Sequence, residues 1–251
     1  MKSLTGGCRV YSAEDGQLST LGTWTARIVI SKNSGAQRIT QTISEYTAGL
    51  SPAVMNPGAE EVLYVASGEG KCRIDGFEYA LHPGAAIFVP PGAVYNLENT
   101  RSETLRLISS CCPEDPQRHI VDGPLPEKSG QPPRLLVHES LREDIRAGQD
   151  RLFRYLVHTD LGCKLITQFA GWIPPSKAPA HFHNYEEVIF ILEGRGIVHT
   201  DEQSCEFEPG SSIYFPIGVR HCLENPGTST IKLLGAFYPS GSPAEAYAPD
   251  D

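Results

Sequence analysis

An internal repeat with a constant spacing of 126 residues constrains the fold of this chain more than any other sequence feature. The segment EEVLYVASGEG from Glu60 matches EEVIFILEGRG from Glu186. PGAAIFVPPGAVYNLEN in the first half matches PGSSIYFPIGVRHCLEN in the second at the same offset, as TLRLISS matches TIKLLGA. Three gap-free matches at one offset indicate a duplicated domain.

The repeated segments have the character of β-strands. Runs such as TARIVI, EVLYVAS, AAIFVP, EVIFILEG and IKLLGAF are rich in Val, Ile, Phe and Tyr, and turn residues bound them. Asp75-Gly76 predicts a two-residue hairpin turn. The pattern is typical of an all-β sandwich or barrel. One segment differs: a capping box at Ser140 and Glu143, with Gly148 beyond it, predicts a short helix over residues 141–147.

A Pro-rich segment, CCPEDPQRHIVDGPLPEKSGQPP, separates the two copies and is typical of a linker. We therefore predict a first β-domain over residues 1–112, a linker with the short helix over 113–150, and a second β-domain over 151–251.

Charge and cysteine usage exclude several classes of partner and site. The net charge of -9 argues against nucleic acid or an anionic membrane surface, because both require concentrated Lys and Arg. The N-terminus has no apolar stretch typical of a signal peptide, and no segment approaches the roughly 18 apolar residues of a membrane span. Seven cysteines without a CxxC pair favour neither a zinc ribbon nor a thioredoxin-type site. We expect a reduced, cytoplasmic protein.

Comparison of the two copies reveals a coordinated difference. The equivalent positions, second copy first, are His181 and Met55, His183 and Pro57, Glu187 and Glu61, and His221 and Tyr95. Three imidazoles occur together in one copy and are all missing from the other. Histidines that served only the fold would have little reason to differ together. The difference therefore predicts a metal site in the second copy alone.

Spacing supports this metal site. His181 and His183 share one face if they lie on a strand, and Glu187 joins them if the strand continues across the intervening turn. His221 lies on a later strand that a barrel can bring alongside. Three imidazoles and a carboxylate suit one divalent Fe, Mn, Ni, Cu, Co or Zn ion and leave one or two positions open. Isoleucines two and four positions after Glu187 predict an apolar wall.

Two segments resemble the signature motifs of the cupin superfamily. The first motif is filled by His181, His183, Glu187 and Gly194, and the second by Gly210, Pro216, Gly218, His221 and Asn225. The glycine expected six residues before the first histidine lies further back, at Gly171, which affects a loop and no ligand. The resemblance implies a bicupin: two tandem double-stranded β-helix barrels of jelly-roll type, with the histidines and glutamate of the second as metal ligands.

The resemblance leaves the reaction open, because this fold hosts many chemistries. Bicupins include quercetin dioxygenases, oxalate decarboxylases and ureidoglycine aminohydrolases. We expect a metal-dependent enzyme that acts on a small oxygen-rich metabolite. A dioxygenase is favoured by aliphatic and aromatic walls (Ile189, Ile191, Phe215) and by the lack of an evident arginine cluster for a dianion. The alternatives are another enzyme of the same fold (a decarboxylase, isomerase or aminohydrolase) and a non-catalytic module that binds a metal or a small ligand.

Further residues receive specific expectations. Glu187 is a candidate for proton handling as well as a ligand, and Gln168, Lys177 and Arg220 are candidates for substrate binding or proton donation. Glu61 is interpreted as a structural remnant that is hydrogen-bonded within the first barrel. Tyr95 is expected to pack there with a satisfied hydroxyl, and Glu186 is expected to face solvent. Because a bicupin contains an internal pseudo-dimer, a monomer or a homodimer is expected. TARIVI is a candidate for strand exchange or for pairing within the chain.

Overall fold

A computed structural model describes residues 1–114, 117–123, 125–147 and 150–243. The chain is built from short β-strands within these ranges. Its helical segments there are 3-10 turns at Thr5–Gly7, Lys32–Ser34, Glu139–Leu141 and Thr159–Leu161. No helix in the described residues is long and apolar enough to cross a membrane.

The strands follow one another closely along the chain. Those up to the linker are β1 Lys2–Ser3, β2 Arg9–Tyr11, β3 Gln17–Leu21, β4 Trp24–Ile30, β5 Thr40–Tyr46, β6 Gly49–Leu50, β7 Ala53–Met55, β8 Glu60–Ser67, β9 Gly70–Ile74, β10 Phe77–Leu81, β11 Ala85–Val89, β12 Val94–Asn99 and β13 Leu105–Cys112. Those that follow are β14 His119–Val121, β15 Leu136–His138, β16 Ile145–Ala147, β17 Arg151–Val157, β18 Thr167–Ile173, β19 Ser176–Lys177, β20 Glu186–Glu193, β21 Gly196–Thr200, β22 Ser204–Phe207, β23 Ser212–Phe215, β24 His221–Asn225 and β25 Ile231–Tyr238.

Four antiparallel sheets form two barrels. The first barrel combines a sheet ordered β15-β11-β8-β13-β5-β4-β3 with one ordered β10-β9-β12-β7-β14, in which β6 also pairs with β12. The second combines β1-β2-β23-β20-β25-β18-β17-β16 with β19-β24-β21-β22. The predicted all-β architecture of two tandem double-stranded β-helix barrels is confirmed.

The hairpin between β9 and β10 has the predicted turn. Ile74 pairs with Phe77, so Asp75 and Gly76 are its two central residues. Both have positive φ, at 47° and 91°. A primed turn requires this geometry, and Gly adopts it without steric cost.

The helix predicted over residues 141–147 is wrong. The chain makes a 3-10 turn over Glu139–Leu141 and then the strand Ile145–Ala147, which pairs with β17. Ser140 does not act as a helix cap, because its hydroxyl and backbone N–H both contact the His138 ring. Burial of Ala147 in the second barrel favours strand over the local helical signal. Gly148, the predicted end of the helix, lies outside the described residues.

The two barrels exchange strands. β2 of the N-terminal segment pairs with β23 of the second barrel, and β15 of the linker pairs with β11 of the first. The two exchanged segments occupy equivalent places in the repeat. Strands on one side of the boundaries predicted at residues 112 and 150 therefore belong to sheets on the other side. TARIVI belongs to β4 and pairs within the first barrel, with β3 and β5.

Three apolar cores hold the molecule together: one inside each barrel and one between them. In β8, Leu63 and Val65 face the interior of the first barrel, whereas Val62 and Tyr64 face the second barrel. β20 shows the same alternation. Both faces of these strands are buried, so their sequences are continuous apolar runs rather than alternating ones.

Glu186 contributes to the contact between the barrels, and the expectation that it faces solvent is wrong. Its side chain lies in the buried interface, with 2% of the residue exposed. The carboxylate accepts hydrogen bonds from the backbone N–H groups of Gln37 and Arg38, both at 2.7 Å, and from the Tyr214 hydroxyl. A single carboxylate thus ties the second barrel to a turn of the first.

Glu60, the repeat equivalent of Glu186, makes the reciprocal contact. It accepts hydrogen bonds from the backbone N–H groups of Lys164 at 3.0 Å and Leu165 at 2.7 Å. The Cys163 thiol also donates to it, at 3.2 Å. The interface therefore has approximate twofold symmetry within one chain, as in an isologous dimer.

Candidate metal centre

The three predicted histidine ligands converge in the second barrel. His181 and His221 form an isolated antiparallel bridge through backbone hydrogen bonds of 3.0 and 2.8 Å. The His183 carbonyl accepts from the backbone N–H of Gly218 at 3.0 Å, which holds this segment against the turn before β24. One candidate ligand nitrogen from each histidine lies within 4.8 Å of the others.

The backbone that carries the histidine pair differs from the prediction. We expected His181 and His183 on one regular strand, but both lie in the irregular connection between β19 and β20. The tertiary contacts with Gly218 and His221 replace strand geometry as the cause of convergence.

Hydrogen bonding defines the tautomer of all three imidazoles. Each Nδ1 contacts a backbone carbonyl oxygen: His181 that of Pro179 at 3.0 Å, His183 that of Tyr185 at 3.0 Å, and His221 that of Val219 at 2.8 Å. A carbonyl oxygen only accepts, so each Nδ1 donates and each neutral ring keeps its lone pair on Nε2. Such backbone contacts orient metal-ligating histidines.

Glu187 lies beside this group. Its Oε2 is 3.1 Å from Nε2 of His183, and both side chains are buried. When His183 is neutral with its proton on Nδ1, the two facing atoms are both acceptors, an arrangement that a cation between them satisfies. The donor set therefore fits a divalent transition metal. The role of Glu187 as the fourth ligand stays a prediction.

Electrostatics favour the ligand-competent form of the imidazoles. Burial lowers the pKa of His181, and burial together with the neighbouring His183 and His181 lowers the pKa of His221 well below its usual value. These rings are consequently neutral at neutral pH, as metal coordination requires.

The histidines open into a cavity of about 80 Å³ inside the second barrel. Its apolar walls include Phe153, Phe169, Ile173, Ile189, Phe215 and Leu233. Such a volume holds roughly five to eight water-sized groups. The apolar lining predicted around the site is thus present at Ile189 and Phe215, while Ile191 packs in the barrel core.

Three sequence-predicted candidates do not line the cavity. Gln168 shares the strand parity of Ala170, which faces the core between the barrels, whereas its neighbour Phe169 lines the cavity. Lys177 is 53% exposed at its side chain and pairs with Glu224 at 3.3 Å. Arg220 is also exposed. Gln168 misses the cavity because side chains alternate along a strand, so it points to the sheet face opposite to that of Phe169.

Two lining residues with polar side chains, Arg151 and Tyr185, were not predicted from the sequence. Arg151 is the first residue of β17, and Tyr185 stacks between the rings of His183 and Phe237, with centroid distances of 4.1 and 4.2 Å. Arg151 lies two residues before Phe153, which also lines the cavity. Residues at i and i+2 of a strand share one face, so this spacing was the one sequence signal that could have placed Arg151 at the cavity.

The equivalent place in the first barrel contains a buried ion pair. Glu61 accepts hydrogen bonds from Tyr95 and Asn56, both at 2.8 Å, and from Arg118 at 2.6 Å. Arg118 also lies 5.1 Å from the ring centroid of Trp24. These contacts agree with the structural role expected of Glu61 and with the satisfied hydroxyl expected of Tyr95. Arg118 supplies a positive charge where the second barrel has its histidines.

Gly235→Ala is expected to disturb the cavity wall. Gly235 pairs with Phe169, and a β-carbon there would lie 2.2 Å from the Phe169 ring. Overpacking of this kind lowers the free energy of unfolding by about 1–3 kcal/mol. Urea denaturation measures the effect, with Gly58→Ala as control because nothing lies near its added carbon. An unchanged midpoint for Gly235→Ala would show that Phe169 moves freely.

Comparison with known proteins supports the same architecture. A model of the cupin domain matches residues 46–111 and 172–237, one match in each barrel and just over half the chain in total. An uncharacterized protein of Methanocaldococcus jannaschii, MJ1618, is 35% identical over 91 residues, which cover 35% of this chain and 73% of that protein.

Solved structures with low sequence identity share the fold. A single-residue mutant of oxalate decarboxylase OxdC from Bacillus subtilis superimposes with a TM-score of 0.75 at 13% identity, over 93% of this chain and 78% of that one. A putative glyoxylate-induced protein from Pseudomonas aeruginosa gives 0.74 at 20%, over 96% and 93%. Protein Ylba from E. coli gives 0.73 at 16%, over 94% and 93%. With one cupin-domain match in each of its two barrels, the chain belongs to the cupin family and is a bicupin.

Proposed function

We propose that this protein is a metal-dependent enzyme that acts on a small oxygen-rich organic metabolite, with dioxygenation as the leading reaction. The observation that carries the proposal is the convergence of three imidazoles on an apolar-walled cavity. His181, His183 and His221 would hold the metal, with Glu187 beside them. When bound, the metal supplies Lewis acidity and, if redox-active, a means of activating dioxygen.

The chain's own residues define what else the site does. Backbone carbonyls hold the imidazoles in one tautomer, so little reorganisation is needed for coordination. The aromatic and aliphatic walls make the surroundings of the histidines less polar, which strengthens electrostatic interactions there. Glu187 is positioned to accept or return a proton near the histidines. The cavity volume suits a small molecule.

A non-oxidative reaction is the second candidate. Glu187 is a buried carboxylate next to the histidines, which suits a decarboxylation, isomerisation or aminohydrolysis with an acid–base step. A structure of similar fold is an oxalate decarboxylase. A metal-binding module without turnover is the third candidate. We also propose a reducing, cytoplasmic setting, in agreement with seven unpaired and buried cysteines.

Oxygen dependence distinguishes these candidates. Protein reconstituted separately with Fe, Mn, Ni, Cu, Co and Zn is incubated with small oxo and hydroxy acids and diketones, in air and under nitrogen. We expect oxygen consumption with at least one redox-active metal and no product under nitrogen. Product release under nitrogen would favour the non-oxidative candidate. Stoichiometric metal without turnover of any compound in either atmosphere would contradict an enzymatic role for the tested substrate class.

A further inference from the structure

We propose that Arg151 binds the carboxylate of the substrate, so that the second barrel selects small organic acids. This inference rests on the proposed function for the existence of a substrate, and it adds the chemical class. It concerns a residue that is separate from the histidine group and that enters the cavity from a different strand.

Arg151 is a buried cation at the cavity. Its side chain is 8% exposed, and it lines the same cavity as the three histidines. Among the described residues of the cavity wall, it is the one with a permanently positive side chain. Its Nη2 donates to the Leu223 carbonyl at 2.9 Å. Leu223 belongs to the strand that begins with His221, so this bond holds the guanidinium in register with the metal centre.

The guanidinium has no hydrogen-bonded carboxylate among the described residues. Its carboxylate neighbour, Asp150, lies 3.8 Å from Nε, beyond hydrogen-bond distance, and is 42% exposed at its side chain. The Leu223 carbonyl engages one of five N–H donors and carries no net charge. A buried cation whose charge is only loosely paired is costly unless an anion reaches it. A ligand carboxylate matches the planar fork and can form two parallel hydrogen bonds.

The first barrel offers an internal comparison. Its partly buried arginine, Arg118, contacts the buried carboxylate of Glu61 at 2.6 Å. The charge there is neutralised within the protein. Arg151 in the second barrel has no such close carboxylate among the described residues. One barrel therefore carries a cation that is paired with a carboxylate of the protein, and the other presents a cation to its cavity.

Size and charge together define the ligand. The cavity of about 80 Å³ accommodates a molecule of a few heavy atoms. One end would place a carboxylate against Arg151, and the other would present an oxygen atom to the metal that the three imidazoles would hold. A short 2-oxo or 2-hydroxy acid meets both requirements, whereas its neutral amide lacks the charge that Arg151 recognises.

The test compares acids with their neutral amides. Binding of pyruvate, lactate and malonate and of pyruvamide, lactamide and malonamide is measured by calorimetry on metal-free and metal-loaded protein. The variants are Arg151→Gln, Arg151→Lys and the control Arg146→Gln, which alters an exposed arginine on the adjacent strand β16. We expect wild type and the control to bind at least one acid about 10- to 100-fold more tightly than its amide, as a charged hydrogen bond implies. Arg151→Gln should lose this preference, and Arg151→Lys should retain part of it.

Several results would overturn the proposal. They are equal binding of acids and amides by wild type, no binding of any acid, or an acid preference that survives in Arg151→Gln. If Arg151→Gln fails to fold, the ratio of acid to amide affinity in wild type and in Arg151→Lys tests the proposal instead. An acid preference in metal-free protein, combined with no turnover after metal loading, would refute the proposed function and leave the role of Arg151 intact. Turnover of an acid by wild-type protein that binds acids and amides equally would support the proposed function and refute the role of Arg151.

Discussion

Replacing His183 or His221 by alanine is expected to abolish stoichiometric metal binding. Wild-type protein should contain about one transition-metal ion per chain, and each variant should contain almost none. The removed imidazole is one of three whose ligand atoms lie within 4.8 Å of one another. Its loss should weaken binding beyond the roughly 10- to 100-fold that loss of an outer partner costs. Plasma mass spectrometry of purified and reconstituted protein measures the outcome.

An exposed histidine provides the matched control for this experiment. His119→Ala changes a histidine of the first barrel that lies on β14 and is exposed, so its metal content should equal that of wild type. Glu187→Gln tests the fourth ligand, and a reduced metal content would support the predicted coordination. Full occupancy in His183→Ala or His221→Ala would exclude the three-histidine centre.

Glu186→Ala is expected to lower the free energy of unfolding by about 2–6 kcal/mol, because two backbone N–H groups would lose their partner in a buried interface. The Tyr214 hydroxyl would lose its acceptor as well. Urea denaturation followed by circular dichroism measures the change. Glu60→Ala should also lower the stability, because the backbone N–H groups of Lys164 and Leu165 would lose their acceptor.

Glu193→Ala serves as the control, because Glu193 lies on the same strand but is exposed. Its effect should stay within about 0.5 kcal/mol, as for ordinary surface substitutions. A Glu186→Ala variant as stable as the control would show that the carboxylate does not stabilise the contact between the barrels.

Local sequence patterns predicted the regular parts of this fold well. The turn at Asp75-Gly76 follows from the few residue pairs that accept positive φ. The 126-residue repeat predicted two barrels because segments of similar sequence adopt the same fold. The helix predicted over 141–147 failed for a physical reason. Its signals were local, whereas pairing of Ile145–Ala147 with β17 and burial in the second barrel are long-range effects.

Side-chain direction was the weakest part of the site prediction. Glu186 and Gln168 are polar residues in strands whose two faces are both buried, so the sequence alone could not say which of the two buried faces each side chain joins. Glu186 proved to contact a turn 149 residues away in sequence. No pattern within its own segment records such a partner.

The sequence by itself determined the duplication, the β architecture and the identity of the three converging histidines, because each is expressed in repeat spacing or in a difference between equivalent positions. Only the tertiary structure decided the strand exchange between barrels, the reciprocal contacts of Glu60 and Glu186, and the place of Arg151 at the cavity. These features depend on which distant segments meet when both barrels close and pack. Burial and charge compensation at such contacts arise from three-dimensional proximity, which spacing along one chain does not encode.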